Sequence, residues 1–88
     1  MAEYRIVFAR SARRELEGLE AQMAERILRK IRLLAQAPRP SGSIKLQGSS
    51  RLWRIRVGDY RVIYEIFDDT TTVEIGYIRH RREIYRNL

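Results

Sequence analysis

The chain has 88 residues, enough for one domain with a single modest core, and its 44% hydrophobic content with only two prolines excludes a disordered segment. The absence of cysteine excludes a disulfide framework and a thiolate metal site and predicts a reducing compartment, while no apolar run approaches membrane-spanning length. A formal charge of +7 points to an anionic partner, which charge alone leaves open among nucleic acid, an acidic protein and an anionic membrane surface.

The N-terminal Met-Ala-Glu-Tyr-Arg-Ile-Val-Phe lacks the long uncharged core of a signal peptide, which predicts a cytoplasmic protein, and Tyr4 to Phe8 reads as a short strand. Ser11 offers an N-cap for a helix carrying Ala12, Leu16 and Leu19 on one side, and Gly18 ends or bends it. From Ala21 to about Ala37, Ala24, Ile27, Leu28, Ile31, Leu34 and Ala35 recur at helical spacing, with Glu25, Arg26, Arg29, Lys30 and Arg32 mostly on the other face. Pro38-Arg39-Pro40-Ser41-Gly42-Ser43 breaks that helix, and a loop runs on to Ser49-Ser50. Leu52 to Ile66 alternates apolar and polar residues on both sides of Gly58-Asp59, the pattern of two strands joined by a tight hairpin turn. A third strand, Thr72 to Arg79, follows the Asp68-Asp69-Thr70 turn, and Arg81 to Tyr85 forms a last helical turn. The expected fold is α+β and a single domain over 1–88: an N-terminal strand, a two-helix hairpin packed on one face of an antiparallel sheet, and a short C-terminal helix.

Parity then sorts the hairpin. Trp53, Ile55, Val57, Tyr60, Val62, Tyr64 and Ile66 form an apolar side that meets the Ile27, Ile31 and Leu34 stripe. With Gly58 and Asp59 as the loop residues, Val57 faces Tyr60, Arg56 faces Arg61, and Arg54 lies one step along the same side. Like charges set opposite each other destabilise a sheet unless an anion compensates, and the nearest acid on that side of the hairpin is Glu65, at its far end. If the next turn is also tight, Phe67 faces Thr72, Glu65 faces Glu74, Gly76 and His80 fall on the arginine side, and Val73, Ile75 and Tyr77 join the core. A solvated basic strand face is the plainer reading of Arg54 and Arg56, and the pairing with Arg61 favours an anion site.

The segment Arg79 to Arg86 holds Arg79, Arg81, Arg82 and Arg86, the one histidine, His80, and Tyr85. It supplies planar donors for phosphate, two groups able to move protons and a ring for base stacking. This mixture suits a splayed RNA strand better than a DNA major groove, because no helix presents a reading face. One histidine and scattered acids make no metal site, and no glycine-rich phosphate loop is present.

Lys45-Leu46-Gln47-Gly48, the run from Leu52 to Tyr64, and His80-Arg81-Arg82-Glu83-Ile84-Tyr85-Arg86 together resemble the RelE/ParE superfamily of toxin-antitoxin toxins, over almost the whole chain. In the RelE-like branch, the resemblance implies a RelE-like fold and an endoribonuclease that enters the ribosomal A site and cuts messenger RNA there. No metal or cofactor is implied: a 2′-hydroxyl attacks the adjacent phosphate and leaves a cyclic phosphate. Carried over by position, Arg54, Arg56, Arg61, Arg81 and Tyr85 are the implied catalytic residues, with Arg79, Arg82, Arg86 and Lys45 as RNA contacts. Counting from the strand favours Arg81 for the last arginine, and counting back from Tyr85 favours Arg79. Some relatives have lysine at the positions of Arg54 and Arg56. Guanidinium clamps phosphate but is a poor base, so His80 or Tyr85 becomes the proton-transfer candidate. The implied partners are the ribosome with its message and a cognate, RelB-like antitoxin whose acidic segment wraps the toxin in a hetero-oligomer, with no membrane involved. The alternative within the superfamily is a ParE-like toxin that inhibits DNA gyrase without cutting RNA.

Overall fold

The computed structural model describes residues 3–82, so Tyr85 and Arg86, and the part of the last helical turn beyond Arg82, lie outside the described residues. The elements run β1 (Arg5–Phe8), α1 (Arg10–Glu17), α2 (Ala21–Leu33), β2 (Ile44–Lys45), β3 (Leu52–Val57), β4 (Tyr60–Phe67) and β5 (Thr72–His80). The strands form one sheet in the order β1-β5-β4-β3-β2. It is mixed, not antiparallel throughout as the sequence predicts: β1 runs parallel to β5, pairing Arg5 with Thr72 through Phe8 with Ile75. The two helices separate β1 from the meander, whose last strand returns alongside it in the same direction.

Local chemistry explains most boundaries. Gly58, at φ 60°, is the one residue of the β3–β4 loop in the left-handed region, as a two-residue turn with glycine in its first position requires. α2 breaks up after Leu34, four residues before Pro38, because no helix continues comfortably through the residue preceding proline. The α1 N-cap is Ala9 rather than Ser11. Ser11 instead sits within the helix and donates its hydroxyl to the Gly76 carbonyl at 2.8 Å. The unpredicted β2 is two residues long, held by pairing Ile44 with Arg54 and Lys45 with Trp53.

Both helices cover one face of the sheet. Ala12, Ile27, Ile31 and Leu34 pack with Ile55, Val57, Val62, Tyr64, Ile66, Val73, Ile75 and Ile78, all at or below 7% exposure. Burying one such side chain contributes about 1.5–3 kcal/mol, so this layer fixes the sheet against the helices and leaves its other face open. Tyr64 completes the seal by donating its hydroxyl to the Pro38 carbonyl at 2.7 Å, and burial pushes its pKa up to about 12.

The expected pairing across β4 and β5 holds only halfway. Phe67 faces Thr72, Glu65 faces Glu74 and Tyr64 faces Ile75, but Ile63 then faces Tyr77, leaving Gly76 as the extra residue of a β-bulge. The bulge reverses the parity of everything after it. Tyr77, expected in the core, is 42% exposed beside Ile63, and Ile78 is the buried residue instead. His80 pairs with Tyr60 and so lies on the helix-covered side, not the arginine side, while Arg79 comes to face Arg61.

Beyond Phe8 the outer edge of β5 has no strand neighbour among the described residues, and α1 takes over. Ser11 binds the Gly76 carbonyl, and the Glu15 carboxylate accepts the Ile78 amide at 2.9 Å and Arg79 Nε at 3.1 Å. An open edge with free backbone groups is thereby capped by side chains from a helix.

Candidate nucleic-acid interface

The β3–β4 hairpin has the register its sequence predicts, with Val57 opposite Tyr60 and Arg56 opposite Arg61. Arg54, Arg56 and Arg61 therefore project from the uncovered face of the sheet. Together with Gly42, Ile44 and Ile55 they line one hollow, and Arg56 and Arg61 also line a second hollow with Gly58, Asp59 and Arg81. Arg81 reaches it because its amide donates to the Asp59 carbonyl at 2.7 Å, tying the chain after β5 to the hairpin turn. Three arginines thus line the hollow at the tight turn, and Arg54 lines the neighbouring hollow with two of them.

Their electrostatic states differ. Arg61 is buried to 8% exposure, whereas Arg56 and Arg81 are exposed. Among the described residues, Arg54, Arg56 and Arg81 form no ion pair with a carboxylate. Directly opposed side chains on paired strands have Cβ atoms about 5 Å apart, so Arg56 and Arg61 repel each other across the ladder. A bound phosphate relieves that repulsion and accepts several planar donors at once.

Of the other predicted residues, Arg79 faces Arg61 but is engaged by Glu15, with its guanidinium stacked 4.4 Å from the Tyr77 ring centre. Arg82 is exposed and lines a shallow depression with Asp59, His80 and Arg81. Lys45 is paired with Trp53 and so projects to the opposite side from the arginines; it is Ile44 that lies on their face. His80 stands outside both hollows, its ring edge-on to Tyr60 at 5.2 Å and 90°, with Nδ1 accepting the Arg82 amide at 3.1 Å. Tyr85 and Arg86 lie outside the described residues.

Sequence reasoning missed Glu15, the anion that holds Arg79, and the bulge that reverses the end of β5. The bulge did leave a trace: Ile75 and Ile78 are both buried but three positions apart, with a glycine between them, which strict alternation cannot accommodate.

The resolved pKa shifts sit at the opposite end of the sheet. Hydrogen bonds from Arg39 and then Tyr4 hold the Asp68 carboxyl below its usual range, and the same contacts raise Tyr4 and Arg39. Arg39 also lies 5.4 Å from the Trp53 ring centre, so this cluster fastens the loop after α2 to the β4–β5 turn.

The chain matches solved toxin structures along most of its length. It is 30% identical to a chain of the archaeal RelE-RelB complex from Pyrococcus horikoshii OT3, covering 90% of this chain and 96% of that one with a TM-score of 0.80. It is 29% identical to a chain of the toxin-antitoxin complex RelBE2 from Mycobacterium tuberculosis, covering 92% and 94% with a TM-score of 0.81. The isolated E. coli RelE toxin, 21% identical over 97% of this chain and 99% of its own with a TM-score of 0.79, shares the fold. No curated protein sequence matches. A family model described as the ParE toxin of type II toxin-antitoxin system, parDE, matches residues 6–85, and the chain therefore belongs to that family, within the RelE/ParE superfamily of toxins.

Proposed function

We propose that this toxin is a metal-independent endoribonuclease that cuts messenger RNA in the ribosomal A site and so stops translation in the cytoplasm. The observation that carries the reading is that Arg54, Arg56, Arg61 and Arg81 line two hollows sharing Arg56 and Arg61 on the β3–β4 hairpin, with Arg54, Arg56 and Arg81 having no carboxylate partner among the described residues. In the proposed reaction the 2′-hydroxyl attacks the adjacent phosphorus, the 5′-oxygen bond breaks, and a 2′,3′-cyclic phosphate remains. The hydroxyl proton leaves during attack, and the departing 5′-oxygen takes one up. Arg61 and Arg81 clamp the scissile phosphate and stabilise the extra negative charge of the transition state, with Arg54 and Arg56 holding the flanking backbone. Tyr85 is the proposed residue for orienting the base and moving a proton.

The Pyrococcus and Mycobacterium relatives are toxin-antitoxin complexes, which supports a cognate antitoxin here as well. An acidic antitoxin segment complements the +7 charge of the toxin.

Primer extension on messages isolated after brief induction tests the reaction. Wild type should yield cuts in translated frames, and Arg61→Ala and Arg81→Ala should lose about a hundredfold in cleavage. Intact messages together with a DNA-damage response would instead support the second reading, a ParE-like toxin acting on DNA gyrase without nucleolysis, which the family model's ParE description favours.

A further inference from the structure

Two groups at the end of β5 hold one imidazole, the Arg82 amide and the Tyr60 ring. His80 is the last residue of the strand, and Arg81 and Arg82 take helical conformation. The first amides of a helix have no partner within it. Here one of the two, that of Arg81, is taken by the Asp59 carbonyl at 2.7 Å, and the other, that of Arg82, by His80 Nδ1 at 3.1 Å. A side-chain acceptor bound to the amide two positions on makes the bond that defines an N-cap. The ring is itself held: Tyr60, packed against the core, meets it edge-on at 5.2 Å. Accepting at Nδ1 places the proton of the neutral ring on Nε2.

We infer that His80 is a positioning residue of the RNA site, an imidazole N-cap that fixes the turn through which Arg81 enters the hollow lined by Arg56, Gly58, Asp59 and Arg61. The inference rests on the proposed ribonuclease reading only for what Arg81 does once it is there. It departs from the expectation that His80 moves a proton, because the ring lies on the helix-covered side of the sheet and its Nδ1 lone pair is already engaged. The device links the apolar core to the anion site through a single side chain.

Side-chain length separates the two roles. Asparagine Oδ1 stands as many bonds from the backbone as imidazole Nδ1, so His80→Asn retains the acceptor while abolishing any proton transfer by the ring. Glutamine carries its oxygen one bond further out, near the place of Nε2, so His80→Gln keeps polarity and loses the cap. Two measurements on the full chain read the result: amide hydrogen exchange at Arg81 and Arg82, and affinity for a short single-stranded oligoribonucleotide. His80→Gln should lose about fivefold in amide protection and about fivefold in affinity, the population equivalent of one N-cap, with His80→Asn close to wild type in both. Cleavage with ribosomes should follow the same order, the loss falling in KM and kcat together.

Equal behaviour of the two variants in amide exchange would overturn the inference. So would loss of cleavage in His80→Asn with its amides still protected, since that pattern belongs to a proton-transfer group. A wild-type protein that cuts no message refutes the ribonuclease reading alone, and the exchange and affinity measurements still decide the role of His80.

Discussion

Replacing Arg56 by glutamine should strengthen the fold while weakening the site. Arg56 is exposed, stands directly opposite Arg61 across the β3–β4 ladder, and has no carboxylate partner among the described residues. Two unit charges about 6 Å apart at an effective dielectric between water and protein surface repel by roughly 1 kcal/mol. Cross-strand side-chain pairs on sheets are worth about 0.2–1 kcal/mol and like charges act against the fold, so neutralising Arg56 should stabilise the domain by about 0.5 kcal/mol. At a urea m-value of about 1.3 kcal/mol/M for so small a chain, the midpoint should rise by about 0.4 M. The same change removes one phosphate contact. Affinity for single-stranded RNA should fall, and the slope of log K against log salt should become shallower by about 0.7. Both readouts come from one preparation, by urea unfolding followed by fluorescence and by oligoribonucleotide titration across salt concentrations. A lowered midpoint with an unchanged salt slope would refute the reasoning, because Arg56 would then be a satisfied surface residue and not half of a strained cationic pair.

Gly58→Ala should cost about 1 kcal/mol in urea unfolding, because φ 60° is unfavourable for alanine. Space is not the obstacle, since the nearest atom to the new Cβ is the mobile end of Arg26, 3.4 Å away. Glu15→Gln should destabilise the fold by about 1 kcal/mol, since the carboxylate accepts both the Ile78 amide and Arg79 Nε and the amide cannot serve both as well. Acid unfolding should show the Asp68 cluster: a carboxyl whose folded pKa is lowered contributes stability above its ordinary value of 3.8 and loses it as pH falls through the folded value. Asp68→Asn should flatten that limb of the curve, and an unchanged pH dependence would remove Asp68 from the account.

The amphipathic stripe Ile27, Ile31 and Leu34 and the alternation either side of Gly58-Asp59 were legible in the sequence, because each is a local period imposed by burial on one side. The face carrying Arg54, Arg56 and Arg61 followed from the turn alone. What could not be read depends on contacts distant along the chain. The parallel pairing of β1 with β5 joins residues 5 and 72, and Glu15 meets Arg79 across most of the fold. Strand β2 has no period of its own and exists only because β3 supplies an edge to pair with. The Gly76 bulge is the instructive failure: parity counted outward from Thr72 is right as far as Ile75 and inverted from Tyr77 onward.

That inversion bears on which arginine completes the site. Counting along β5 without a bulge leaves Arg79 and Arg81 at the same parity, on the core side, so alternation alone does not choose between them. With the bulge, Arg79 does stand beside Arg61, yet its Nε is held by Glu15 and its plane is stacked on Tyr77, so part of its charge and donor capacity is already committed. Arg81 arrives by a different route, through its amide bond to the hairpin turn, and no carboxylate among the described residues neutralises it. A phosphate approaching the turn therefore meets Arg56 and Arg81 as cations without a carboxylate partner among the described residues, while Arg79 contributes a partly neutralised wall. Position in the ladder and electrostatic availability are separate properties, and an anion responds to the second.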